Sequence, residues 1–451
     1  MRRLVIPLLA ALGLLAVLGT AARAEGTGTT AAPPSPTVSK IDPGDTAWVL
    51  TSAALVMLMT PGLAFFYGGL VRKKNVLSIL MQCMIILCLV SLQWVLFGYS
   101  LAFGPDIKGL VGSLAWAGLT GVGDAPNPTY AATIPHSAFM IFQAMFAVIT
   151  PALILGAFAE RMRFTAFCLF SLLWATFIYD PVAHWVWGAG GFLGASGLGA
   201  LDFAGGTVVH INAGLSALAC ALFLGKRLGF PDRISPPHSM PLAVLGAGLL
   251  WFGWFGFNGG SALGAGGLAS HAFVATHVAT AAAGLGWAVL DRLYAGRPTV
   301  LGVITGAVAG LVAITPASGF VTPMAAVAIG LGAALVCWIF VMLVKPRLGY
   351  DDSLDAFGVH GIGGIWGALA TGLWATKAVN AAGADGLFHG HPAQIGFQAL
   401  AVGCTMAFAF VGTLALLKVV DLLVGLRVTE HEERVGLDLT QHREAGYTLV
   451  D

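Results

Sequence analysis

Two histidines sit where ionisable side chains are expensive. His210 closes the stretch Asp202-Phe203-Ala204-Gly205-Gly206-Thr207-Val208-Val209-His210, and His360 lies in Asp355-Ala356-Phe357-Gly358-Val359-His360-Gly361; both stretches open long apolar runs. Ionisable groups inside lipid are rare, and they face a bundle interior or a solute path. A neutral imidazole donates from one ring nitrogen and accepts at the other, and it titrates near neutrality. Two imidazoles brought together would suit a small polar solute or a proton relay. The alternative is that each is a separate core residue bonded to a backbone carbonyl. For the preceding aspartates, the ordinary use of a carboxylate at a helix start is to accept from free amides. His184 and His277 have no counterpart at a related position and read as structural. His389 and His391 fall in a loop, where such a pair is usually solvated.

The element that must position these histidines is a membrane bundle. Of the 451 residues, 57% are hydrophobic and only 10% charged, whereas soluble domains carry about 25% charged residues. A water-soluble array of domains and a disordered chain are both excluded. The formal net charge of +1 leaves no positive field to hold nucleic acid. Arg2, Arg3, an apolar run and Ala22-Arg23-Ala24 predict a cleaved secretory signal over 1–24, followed by a flexible exported lead-in over 25–45. The six cysteines all lie in apolar runs without a Cys-x-x-Cys pair and are expected as buried small residues, not disulfides or metal ligands.

Eleven apolar segments long enough to span a bilayer follow, near 46–70, 76–103, 137–158, 165–186, 206–224, 240–261, 271–291, 299–315, 323–344, 356–376 and 393–425. The predicted fold is all-α and polytopic. Alternate loops and the tail collect Arg72, Lys73, Lys74, Arg161, Arg163, Lys226, Arg227, Arg233, Arg292, Arg297, Lys345, Arg347, Arg427, Arg434 and Arg443; the opposite side holds Lys40, Lys108 and Lys377. The positive-inside rule then places the amino terminus outside and the carboxyl terminus in the cytoplasm of a cell bounded by this membrane. His210 in the fifth span and His360 in the tenth enter from opposite faces, as an inverted repeat of five plus five spans with one extra helix would produce. Sixty-one glycines point to helices packed backbone to backbone.

Several segments, in order, resemble the ammonium transporter family, related to the Rhesus proteins. They are Pro61 through Asn75, Asp202 through His210, Gly253 through Ser261, Asp355 through Gly361 and the tail after Gly425; the likeness covers nearly everything after the lead-in. The resemblance implies an outer substrate site at Trp187 and Ser261 with Phe146, supported by Asp202 without direct contact. It implies that Phe146 and Phe257 form a two-ring gate, that His210 and His360 line the conduction path, and that no cofactor or metal is needed. It also implies a homotrimer with one pore per subunit in the plasma (inner) membrane. The tail, 428–451, would be a cytoplasmic regulatory element that receives PII signalling proteins. Without the resemblance, Trp187 and the phenylalanines are ordinary lipid-facing, interfacial or core aromatics, and Ser261 is a helix-packing hydroxyl.

An ammonium ion loses its water on entering lipid, at a cost of tens of kcal/mol by ideal Born solvation. Aromatic faces contribute ~2 kcal/mol or more when desolvated, and a hydroxyl accepts one N–H. Such groups hold a cation outside the path but cannot carry it past two apolar rings, whereas twin imidazoles suit neutral ammonia. Deprotonation at the outer site, with separate proton transfer and net charge movement, is the favoured expectation; electroneutral ammonia conduction is the alternative. Two other classes share the pattern: a redox protein with the histidines as haem ligands, and a channel for urea or carbon dioxide. Gly-x-Ser-x-Gly, His-Glu-x-x-His and phosphate-loop motifs do not occur in the sequence, so an enzyme is not expected.

Overall fold

The computed structural model of the protein describes residues 40–232 and 236–447. The expected signal and the lead-in before residue 40 lie outside the described residues. The rest of the lead-in is a helix start: Asp42 accepts from the Asp45 amide (2.9 Å) and caps α1 (Pro43–Leu70), three residues earlier than the apolar pattern shows.

The helices that follow are α2 (Lys73–Phe103), α3 (His136–Ala157), α4 (Phe164–Trp187), α5 (Gly206–Leu224), α6 (Met240–Gly260) and α7 (Gly267–Ala295). Then come α8 (Val300–Ile314), α9 (Pro323–Leu348), α10 (a π turn at Phe357–Gly361 continued by Ile362–Trp374) and α11 (Ala393–Val424). Among the described residues, nine of these are long and apolar enough to cross a membrane; α8 is apolar but shorter. Their outer surfaces carry exposed Leu293, Met324 and Leu422, an apolar coat that belongs in lipid rather than water. A two-stranded ribbon, β1 (Asp106–Ile107) with β2 (Val111–Gly112), lies in the loop after α2.

Glycine lets the helices touch through their backbones. A Cβ on Gly246 would stand 2.1 Å from the Phe66 nitrogen, and one on Gly69 would stand 2.5 Å from the Ser239 carbonyl oxygen, so α1 and α6 pack with no room for a methyl group. The α5 and α10 helices cross in the same way: a Cβ on Gly214 would lie 2.2 Å from the Gly361 nitrogen. That crossing brings the two histidines together.

Loops with basic residues share one face. Arg72 donates to Glu160 from its amide (2.8 Å) and Nε (2.9 Å), and Arg227 forks onto both oxygens of Asp351 (2.9 and 2.8 Å). Burial would raise the Glu160 carboxyl, but the Arg72 bond and the charges of Arg72 and Arg227 hold it below its ordinary range. Arg161, fully buried, donates to the carbonyls of Ala157 and Asp351. The tail docks on this face. A capping box at Thr429 starts α12 (Glu430–Val435), Asn75 accepts from the Leu437 amide (2.8 Å), Asp438 from Ser78 (2.8 Å) and Glu433 from Leu228 (2.7 Å). The tail's polar groups thereby satisfy open amides of the bundle: Asp438 at the start of α2, Gln441 at the start of α4 (Phe164 amide, 3.2 Å) and Glu433 in the loop after α5.

Candidate functional site

The site is built where α5 and α10 begin. Each starts with a π turn, Gly206–Ile211 and Phe357–Gly361, a distortion common at functional positions. Asp202 accepts from the amides of Gly205 (2.8 Å), Gly206 (2.7 Å), Thr207 (2.8 Å) and Val208 (3.1 Å). All four acceptor positions of its carboxylate are thereby spent on backbone.

At the start of α10 the acceptor of backbone amides is Asp352, not Asp355. Asp352 is fully buried and accepts from Ala356 (3.1 Å) and Phe357 (2.8 Å). Asp355, taken from the sequence as the opening residue of the tenth span, has φ 58° and pairs instead with Lys345 at 2.5 Å. The signal was in the spacing: Asp202 precedes His210 by eight residues (210 − 202), and Asp352 precedes His360 by eight (360 − 352).

The imidazoles meet with Nδ1 to Nδ1 at 3.4 Å and ring planes 21° apart. One Nδ1 must carry hydrogen while the other accepts. The Nε2 of the first is then bare and that of the second protonated. His210 stacks on Trp254 (centroids 5.3 Å), whose Nε1 donates to Thr315 (2.8 Å). His210 Nε2 is buried without a hydrogen-bond partner among the described residues. The separation does not suit axial haem ligation. Two nitrogens straddling a metal at ~2 Å each would stand about 4 Å apart, with the macrocycle between them.

Three cavities lie in series along the histidine pair. The outer one, ≈ 310 Å³, is lined by Trp187, Ser261, Phe146, Asp202 and Gln143 among others. Phe146 in its lining packs on Phe257, their ring centroids 4.4 Å apart and planes tilted by 44°, and Phe257 in turn lines the next cavity. Beneath Phe257 lies an enclosed space of ≈ 10 Å³ walled by Leu63, Ile149, Leu250, Trp254 and Val308, with His210 and His360 as its polar groups. That is about the room one water-sized molecule requires. His360 also lines the third cavity, ≈ 340 Å³, which reaches Arg227 and Asp355 on the basic face.

In the outer cavity Trp187 meets Phe146 edge to face at 5.8 Å, and its Nε1 donates to the Asp202 carbonyl (2.9 Å). The indole thus offers its π face and no free N–H, and its bond ties the two ends of the glycine-rich 188–201 loop. The Ser261 hydroxyl donates to the Phe257 carbonyl (2.8 Å), which leaves its lone pairs to accept.

The structure therefore brings Trp187, Ser261, Phe146, Phe257, Asp202, His210 and His360 into one column. His184 serves structure: its ring bonds the Ala102 carbonyl (2.9 Å) and Asp106 (2.8 Å). His277 packs on Trp251, and His391 bonds the Asp385 carbonyl.

The profile of the Ammonium Transporter Family matches residues 47–447. The chain belongs to the ammonium transporter family. It is 55% identical over 404 residues to an ammonium transporter of Bacillus subtilis strain 168, covering 90% of this chain and 98% of that one. Ammonium transporter Amt1 of Archaeoglobus fulgidus is 49% identical over 406 residues, covering 90% and 99%. Among solved structures, Candida albicans Mep2 superimposes with a TM-score of 0.84 at 36% identity over 92% of this chain and 95% of that one. A sensor Amt protein gives 0.80 at 32% identity, covering 88% and 98%. The ammonium transporter family is one of multi-pass membrane transporters, not of enzymes.

Proposed function

We propose that this protein transports ammonium by recruiting the cation in the outer cavity, deprotonating it there and passing ammonia between Phe146 and Phe257 to the histidine pair. The observation that carries this reading is the series of three cavities, divided first by two phenyl rings and then by two imidazoles. Trp187 and Phe146 supply π faces worth ~2 kcal/mol or more to a desolvated cation, and Ser261 accepts one N–H. An ion stripped of water has no such replacement in the ≈ 10 Å³ space below. A neutral molecule does: one Nε2 accepts from it and the other donates. The proton released at the outer site passes separately to the bare Nε2 of one imidazole, crosses from Nδ1 to Nδ1 and leaves from the protonated Nε2 of the other, so net charge moves.

The bundle comprises eleven spans in this reading, with α8 and α10 completing the nine longer helices, and α1–α5 related to α6–α10 by an inverted repeat. The matched eight-residue Asp–His spacing and the π turns at both α5 and α10 support that symmetry. The basic face is cytoplasmic by the positive-inside rule, in the plasma (inner) membrane. The protein acts as a homotrimer with one pore per subunit, and its tail, 428–451, is a regulatory element for a PII signalling protein. Trp187→Leu and Ser261→Ala test the recruitment step: both should raise the half-saturating ammonium concentration more than they lower the maximal rate. Equal loss at all concentrations would contradict it.

A further inference from the structure

Among the buried polar side-chain atoms without a hydrogen-bond partner in the described residues, two belong to residues that line the cavities. They are Nε2 of His210, which lines the enclosed space, and Oε1 of Gln143, a residue that lines the outer cavity; in this state the Gln143 oxygen is shielded from that cavity. We infer that Gln143 is a further ligand of the entering cation, its side-chain amide oxygen accepting one N–H in the outer cavity just before the paired rings. The inference rests on the proposal that ammonium is the substrate recruited there.

Its position follows from α3. Gln143 precedes Phe146 by three residues, so it lies on the same helix face as that ring, which also lines the cavity. An amide at a cavity wall with its oxygen buried and unpaired is costly to keep in an apolar helix, and a native chain that keeps one has a use for its polarity. Gln143 could be replaced by an apolar side chain of similar length without losing any bond seen in this state.

The other polar groups of the cavity leave a vacancy for such an acceptor. Asp202 is saturated by four backbone amides. Trp187 has its N–H engaged and offers only a π face. Ser261 has given its hydrogen to Phe257 and accepts once toward the cavity. A tetrahedral donor with four N–H groups then meets two π faces and one hydroxyl, and the amide oxygen completes the set. A half-turn of the amide exchanges its oxygen and nitrogen within nearly the same volume, so the oxygen can be offered to a cation without moving the helix. An amide also holds the cation less tightly than a carboxylate would, and the cation must later give up a proton and leave.

The test is ammonium-evoked current in liposomes carrying the full-length protein. Gln143→Leu should raise the half-saturating ammonium concentration about tenfold or more, equivalent to ~1.4 kcal/mol per tenfold, with the maximal current largely kept. Gln143→Glu restores an acceptor and should bring half-saturation to the wild-type value or below. Trp187→Leu, run beside them, separates the two ideas. Half-saturation unchanged in Gln143→Leu but raised in Trp187→Leu overturns the role of Gln143 and leaves the outer site standing. Half-saturation unchanged in both overturns the outer site, and Gln143 with it. A lowered maximal current with unchanged half-saturation marks a packing residue and overturns the inference. If Gln143→Leu fails to reach the membrane, Gln143→Glu decides alone, and a raised half-saturating concentration in it refutes the proposal.

Discussion

Replacing Asp202 with asparagine isolates the bonds that hold the start of α5. The carboxylate accepts four amides, two on each oxygen, at 2.7 to 3.1 Å. Asparagine keeps one oxygen and turns the other position into a donor facing two donors, so two bonds go. At ~1.5–3 kcal/mol per hydrogen bond to a charged group, the loss is about 3–6 kcal/mol. Asp352 holds one amide on each oxygen, so Asp352→Asn loses one bond, ~1.5–3 kcal/mol. The Asp355 carboxylate accepts no backbone amide among the described residues and pairs with Lys345 through one oxygen; asparagine keeps an oxygen to accept from that lysine, which also donates to the Asp352 carbonyl, so Asp355→Asn should cost least of the three. The three variants, melted in detergent and assayed for ammonium-evoked current, should rank Asp202, Asp352, Asp355 from most to least damaged. Because Trp187 hangs on the Asp202 carbonyl, the first should also lose transport. A ranking in which Asp355→Asn is the worst, or an Asp202→Asn protein that melts and transports like wild type, would refute the capping argument and the pairing of Asp202 with Asp352.

Three further outcomes follow from the packing and the ionic face. Gly246→Ala places a methyl group 2.1 Å from the Phe66 nitrogen, so α1 and α6 must part by about 1.3 Å (3.4 − 2.1), at ~1–3 kcal/mol for overpacking; Gly403→Ala, which meets nothing within 4 Å, should melt like wild type, and identical melting of both variants would contradict this. The depressed Glu160 carboxyl contributes stability that is present above its ordinary value of 4.5 and is lost as pH falls through the folded value. The melting temperature should therefore drop on acidification below about 4.5, and Glu160→Gln should flatten that part of the curve; an unchanged slope would exclude the contribution. Truncation after Arg427 removes the bonds to Asn75, Ser78 and Leu228 and should impair transport without altering membrane insertion, while abolishing binding of a PII protein. Full activity with undiminished PII binding would sink the regulatory role.

How much of this was legible in the sequence differs by residue. The helical bundle follows from runs of apolar residues too long for anything but lipid, and the histidine pair from the cost of imidazoles inside it. Asp202 was legible because its carboxylate sits just before a run of amides that need acceptors. Asp355 misled because it is the nearest acid to the tenth span; its positive φ and the Lys345 pair are tertiary facts, and only the equal spacing of Asp352 could have corrected it. The tail's composition reads the same whether its polar groups face water or the open amides of α2 and α4. Gln143 was passed over because a lone amide in an apolar helix ordinarily finds a partner, and only the folded arrangement shows that its oxygen has none.

The most direct test of the account is the current evoked by an ammonium pulse in proteoliposomes, compared between wild type and a variant with both His210 and His360 replaced by apolar residues. The wild type should carry an inward positive current, and a double variant that still folds should lose conduction. Ammonium-driven flux without current in the wild type, or a double variant of unchanged rate and selectivity, would contradict it.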